Sequence, residues 1–252
     1  MIMTRWCIPA AFILCLGGIF IPLPAFANPE SCVDCHKDEK FRVQNKKIYD
    51  YYQEWKGSSH EKAKLSCTAC HGGDASQTAI GDAHKGILPQ SDPRSPFNYK
   101  NIPKTCGGCH PDILERFQKS RHYEQITTKG TGPTCITCHG SLNTKVYSVS
   151  IVDRSCANCH TDRNRPEIIA QAREILERLN HANGYRNGLR IYYTSINKPG
   201  TMKNVDKAYE DVIHFLHEFD FKRLGPRSQD LWVEVKALFD AARENEKKDK
   251  KK

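Results

Sequence analysis

Long apolar runs are absent from this 252-residue chain beyond residue 27. With 38% apolar and 27% charged residues, that absence excludes a multispanning membrane protein, and the same balance excludes disorder over the whole length. Methionine is scarce too: of three, only Met202 lies beyond the N-terminal segment. Over residues 29–162 periodic hydrophobicity is so sparse that a stretch of roughly 130 residues cannot bury a sufficient core unaided. Something other than protein must fill its interior.

The first 27 residues read as a secretory signal, with Arg5 as the positive end, an apolar run over residues 8–20, Pro22, Pro24 and the small-x-small tripeptide Ala25-Phe26-Ala27. Cleavage leaves Asn28 first and removes Cys7 and Cys15. An uncleaved anchor is the competing reading, since residues 8–27 have about the 20-residue length of a membrane span. The prolines at 9, 22 and 24 and the small-residue ending oppose it. The expected location is the periplasm or another extracytoplasmic space. The rest divides into a cysteine-bearing part over 28–162, a helical part over 163–246 and a basic, disordered tail over 247–252.

The helical part contains no cysteine. Pro166 suits a first-turn position, and Ile168, Ile169, Ala172, Ile175, Leu176 and Leu179 follow at three-to-four spacing, predicting a helix that runs on towards Ile196 with a bend or break at Gly184 and Gly188. A second helix is expected over 205–219. Gly225-Pro226 separates it from a third over 229–244, N-capped by Ser228. The predicted fold class is mainly α: little regular structure around the cysteine motifs, then a C-terminal three-helix bundle.

Cysteine is what the chain has in excess: twelve, ten of them in five Cys-x-x-Cys-His sequences. These are Cys32/Cys35/His36, Cys67/Cys70/His71, Cys106/Cys109/His110, Cys135/Cys138/His139 and Cys156/Cys159/His160. In this pattern the two thiols add to the two vinyl groups of a haem and the adjacent imidazole reaches its iron. Zinc sites, redox dithiols and disulfides also use Cys-x-x-Cys. None of them requires the following histidine, and chance places it after all five pairs with a probability of roughly 10⁻⁷. Five covalently bound haem c groups are expected, tethered by all ten thiols. Their propionates, up to ten, would nearly cancel the formal net charge of +9, so that charge does not argue for a nucleic-acid partner.

A proximal histidine leaves one axial position on each iron, and its occupant decides between electron transfer and ligand chemistry. Six further histidines are available: His60, His84, His122, His181, His214 and His217. With methionine nearly excluded, bis-histidine ligation and low potentials follow. His60 and His122 hold the same place in an internal repeat, CVDCH…WKGSSH…CTACHGG and CGGCH…FQKSRH…CITCHGS. His84 lies in a glycine-rich segment, GDAHKG. On the second helix His217 flanks the apolar stripe, whereas His214 points nearly opposite it. The spacing does not say which distal histidine serves which haem.

The repeat resembles the multihaem cytochromes c related to the tetrahaem electron carrier of ammonia oxidisers and to hydroxylamine oxidoreductase. The segment ILPQSDPRSPFNYKNIPKTCGGCH is similar to a linker in periplasmic multihaem cytochromes that work with membrane quinol-oxidising partners. LNHANGY and HEFDF resemble the helical end of such proteins. The resemblance implies His60, His84 and His122 as distal ligands and favours His217 over its helical neighbours. In many relatives a histidine follows CHG within a few residues; here His84 comes thirteen residues after His71, and none follows His139 in CHGSLN. The Cys-x-x-Cys-Lys variant of ammonia-forming nitrite reductase is also missing.

The leading functional expectation is a periplasmic electron carrier, its closely spaced haems relaying electrons between other redox proteins, a membrane quinol-oxidising complex among them. No side-chain catalytic constellation is visible. The alternatives are a reductase or oxidase of a small nitrogen or sulfur compound at one haem with an open axial position, and a subunit of a larger complex docking through its helical end.

Overall fold

The computed structural model describes residues 30–144, 149–161 and 163–249. The expected signal segment and the last three residues lie outside the described residues. Every regular element among the described residues is helical.

The cysteine-bearing part is a succession of short helices: α1 (Glu30–His36), α2 (Lys40–Gln44), α3 (Lys46–Trp55), α4 (Ser59–Lys62), α5 (Thr68–His71), α6 (Ile80–Ala83), α7 (Ile102–Gly107), α8 (Pro111–Gln118), α9 (Arg121–Lys129), α10 (Cys135–His139) and α11 (Ile151–Arg154). The motifs close helical turns on themselves. The histidine N–H donates to the carbonyl of the first cysteine at 3.0 Å for His71 and His110 and at 2.8 Å for His160. One turn brings the thiols at i and i+3 onto a common face. Buried apolar side chains are few here: among the described residues before 149 they are Ala75, Ile102, Pro103, Phe117 and Ile126.

The second part is α12 (Pro166–Ser195), α13 (Met202–Leu216) and α14 (Phe221–Asp249), each packed on the other two. Their facing sides supply a core of Ile175, Leu179, Leu189, Phe215, Leu224 and Val235. Val152 of α11 belongs to the same cluster, so the two parts share a seam.

The bundle differs from its sequence reading in four places. First, α12 runs unbroken through Gly184 and Gly188. A Cβ at Gly188 would lie 2.4 Å from Phe239 Cε2, so this glycine serves close packing of α12 on α14 and not a bend. Second, α13 ends at Leu216, and Phe219 lies beyond it with φ +56°. Third, Gly225-Pro226 does not separate helices: Pro226 lies inside α14. Ser228 is no N-cap, because its hydroxyl donates to Gly225 O at 2.8 Å within the helix. Leu224 and Leu231, fully and nearly fully buried, hold both sides of the proline against the core, which offsets the one backbone hydrogen bond it removes. Fourth, α14 continues through Asp249, so the first residues of the expected tail are helical.

Candidate haem sites

Each half of the repeat folds as two helices meeting at a capped turn. α3 ends at Trp55 and α8 one residue past Phe117, and the N–H groups of Ser58 and Ser120 each donate to the aromatic residue's carbonyl at 2.9 Å. Both serines are buried N-caps, accepting from Glu61 N–H at 3.0 Å and Tyr123 N–H at 3.1 Å. His60 and His122 therefore occupy the same first-turn position on α4 and α9. The aromatic-x-x-Ser-x-His pattern is a device for presenting an imidazole.

His84 and His217 are presented in another way. Each is the C-cap residue of its helix, α6 and α13, and each points Nδ1 at the carbonyl four residues back, Ile80 O and Ile213 O, at 2.9 Å. A carbonyl only accepts, so Nδ1 carries the proton and Nε2 keeps its lone pair, the form in which imidazole ligates a metal.

These four histidines face four of the five motif histidines. Ring centroids lie 6.1 Å apart for His36 and His84, 6.4 Å for His60 and His110, 6.1 Å for His122 and His160, and 6.2 Å for His139 and His217. Two metal–imidazole bonds of about 2 Å, plus roughly 1.1 Å from each ring nitrogen to its centre, place two axial imidazoles about 6.2 Å apart. The pairs fit an iron between them. Burial favours the neutral ring: the pKa of His122 is lowered to about 4, with His160 adding to the effect, and desolvation lowers that of His217 to about 4 as well. His36 and His60 shift down for the same reasons. The buried Nδ1 of His122 has no hydrogen-bond partner within the protein.

The histidine of the second motif differs. His71 lies against Phe97, centroids 4.1 Å apart and planes inclined by 27°, too close for anything to sit between the rings. Burial, and His36 nearby, lower its pKa. Of the two remaining histidines, His181 is exposed on α12, and His214 lines a surface cavity of about 380 Å³ with Arg116, Asp211 and Arg227.

The thiols run in sequence order. Burial raises the Cys67 thiol and the charge of Cys32 adds to it; burial raises Cys70, with Cys106 and Cys109 adding. The Cys135 thiol donates to Cys106, which lowers the Cys106 pKa to about 7 and pushes Cys135 up. Burial pushes Cys138 up to about 11, with Cys156 contributing. Each motif thus lies close to the next. No disulfide joins any of the ten, and among the described residues no three His, Cys, Asp or Glu side chains converge as a zinc site requires.

Cys35, Cys109 and Cys159, the second cysteines of the first, third and fifth motifs, are exposed, whereas the first cysteine of every motif is half-buried. The physical reason is a shortage of cover. Cys70 and Cys138 are half-buried second cysteines because the following motif lies against them. Cys35 instead has Lys40 as a neighbour on the surface, and Cys159 has Tyr99. With so few buried apolar side chains in this part, the protein by itself leaves those three sulfurs open.

Three residues that matter here escape sequence reasoning. Phe97 is held by a web of turns in which buried Ser95 accepts from Phe97 N–H at 3.2 Å, Asn101 Nδ2 donates to Pro93 O at 2.7 Å and Thr105 donates to Pro96 O at 2.7 Å. Its Asp-, Ser-, Asn- and Pro-rich surroundings signal turns, but not what they aim at. Glu218 joins the halves, accepting from Arg116 at 2.7 Å. Phe219 packs edge-on against His122 with centroids 4.6 Å apart. The HEFDF segment thus supplies a candidate ligand, an ion pair and a packing ring in three consecutive positions.

Residues 94–166, which carry the last three motifs, match the family described as cytochrome c7 and related cytochrome c. The chain is similar to the C-type polyheme cytochrome OmcB of Geobacter sulfurreducens, 29% identical over 174 residues that cover 57% of this chain and 20% of the relative. It is also similar to the multiheme cytochrome MtrA of Shewanella baltica, 23% identical over 138 residues, or 54% of this chain and 33% of that one. The chain thus spans a fifth to a third of the length of the relatives it matches. No solved structure matches. The fold is mainly α, and in its Cys-x-x-Cys-His motifs the chain is similar to multihaem c-type cytochromes.

Proposed function

We propose that this chain is an exported pentahaem electron carrier, residues 28–162 holding five haems and residues 163–246 buttressing them, which relays electrons between redox partners such as a membrane quinol-oxidising complex. The observation that carries this is the set of four imidazole pairs at 6.1–6.4 Å. The cysteine pairs of the five motifs, Cys35 and Cys159 included, would hold the groups through thioethers, with His36, His71, His110, His139 and His160 as proximal ligands. An exposed sulfur is open to that bond, and the haem edge would then cover it. His84, His60, His217 and His122 would stand opposite the first, third, fourth and fifth of the proximal histidines.

Bound haem supplies a one-electron couple. The chain does the rest. It fixes the imidazoles by caps and carbonyl contacts, keeps the buried ones unprotonated, and sets the motifs side by side from first to last. No helix among the described residues is long and apolar enough to cross a membrane.

Redox titration of the purified protein, followed in its optical spectrum, tests this reading. Five one-electron couples, all in the low-potential range of bis-histidine or histidine-only ligation, are expected. A protein with no reversible couple, or with the high potential of methionine ligation, would contradict it.

A further inference from the structure

We propose that the haem on Cys67 and Cys70 is an exogenous-ligand site: its iron, held by His71 alone, takes a small diatomic or triatomic donor of the kind that binds haem iron, such as carbon monoxide when ferrous or cyanide when ferric. This goes beyond the relay role and rests on the same assignment of five haems.

All eleven histidines lie among the described residues, and none is left to stand opposite His71. Four non-motif histidines are committed to other motifs at the separation an iron requires. His181 is exposed on α12, His214 belongs to the cavity beside Arg116, and Met202 is buried in the bundle core. The one histidine close behind His71 in sequence, His84, is turned away by the backbone. Asp74 N–H donates to Ala83 O at 3.0 Å, and Gly73, at φ +78°, packs so tightly on α6 that a Cβ would lie 2.6 Å from that same carbonyl. The segment leaving His71 is thereby pinned to the helix whose C-cap offers its imidazole to His36.

The repeat shows why the second motif is the one passed over. His60, following the first motif, faces the third; His122, following the third, faces the fifth. That relation skips the second and fourth motifs. The fourth is completed from the bundle by His217. Among the described residues no histidine does the same for the second. Phe97 does not take the place of a ligand, since it lies against the imidazole itself at 4.1 Å. It fixes the plane of the proximal ring.

The test is ligand stoichiometry on the holoprotein, with haem content measured on the same sample. One carbon monoxide per five haems in the reduced protein, and a ferric high-spin EPR signal amounting to one iron in five, are the expected results. The His71→Ala variant keeps both cysteines and hence the tethered haem, and should lose the histidine-ligated form of the carbon monoxide spectrum while the four low-spin signals stay. Phe97→Ala should alter the high-spin EPR line shape alone, which serves where His71→Ala does not fold. Five haems that are all low-spin and take up no ligand would overturn the proposal and leave the relay intact. So would a high-spin signal unmoved by either variant. A haem count other than five would instead strike the underlying assignment.

Discussion

His84 and His217 belong to unrelated helices, yet both cap their helix and both give their Nδ1 proton to the carbonyl four residues back. This leaves Nε2 as the nitrogen with the free lone pair and costs no other side chain. Truncating His217 to alanine should convert the haem opposite, on His139, from low to high spin and raise carbon monoxide uptake by one per chain. His181→Ala and His214→Ala should leave spin state and uptake as they are. The motif histidines stand out by their spacing, and His60 and His122 by their matched places in the repeat. The role of Phe97 does not, because it depends on where a web of turns delivers one ring, and the residues that make turns carry no record of their target. The exposure of Cys35 and Cys159 was equally hidden, since all five motifs read alike and only their neighbours in space tell them apart.

At the scale of elements, the serine caps are the parts that position chemistry. Ser120→Ala removes a cap from α9 and should cost about 1 kcal/mol in denaturant unfolding of the holoprotein. It should also broaden the low-spin signal of the His160 haem, since His122 sits in the first turn that the cap holds. Helix ends in the bundle were poorly readable. Gly184, Gly188 and Gly225-Pro226 all carry helix-breaking propensity, and in each case burial of the neighbouring apolar face prevails over it. The two glycines of α12 differ in kind. Gly184→Ala meets nothing within 4 Å and should gain about 0.5–1 kcal/mol, whereas Gly188→Ala meets Phe239 and should lose about 1–3 kcal/mol by overpacking. Thermal unfolding of the pair checks the opposite signs.

Across the whole molecule, a part with few buried apolar side chains is joined to a bundle with an ordinary core. The join is Val152 in that core, Arg116 on Glu218, and Phe219 on His122. The bundle is therefore more than a support: it reaches back to set His217 opposite the fourth motif. The mainly α class and the division into two parts were legible in composition alone, because the first part lacked the apolar periodicity the second possessed. The pairing of imidazoles across motifs was not, since it follows from contacts between segments far apart in the chain. The mass of the intact mature protein, read with its visible spectrum, bears most directly on the claim that thioether-linked haem fills the first part. A chain beginning at Asn28 and carrying five haem masses is expected; a colourless chain, or one with its ten mature cysteines paired in disulfides or holding zinc, would contradict it.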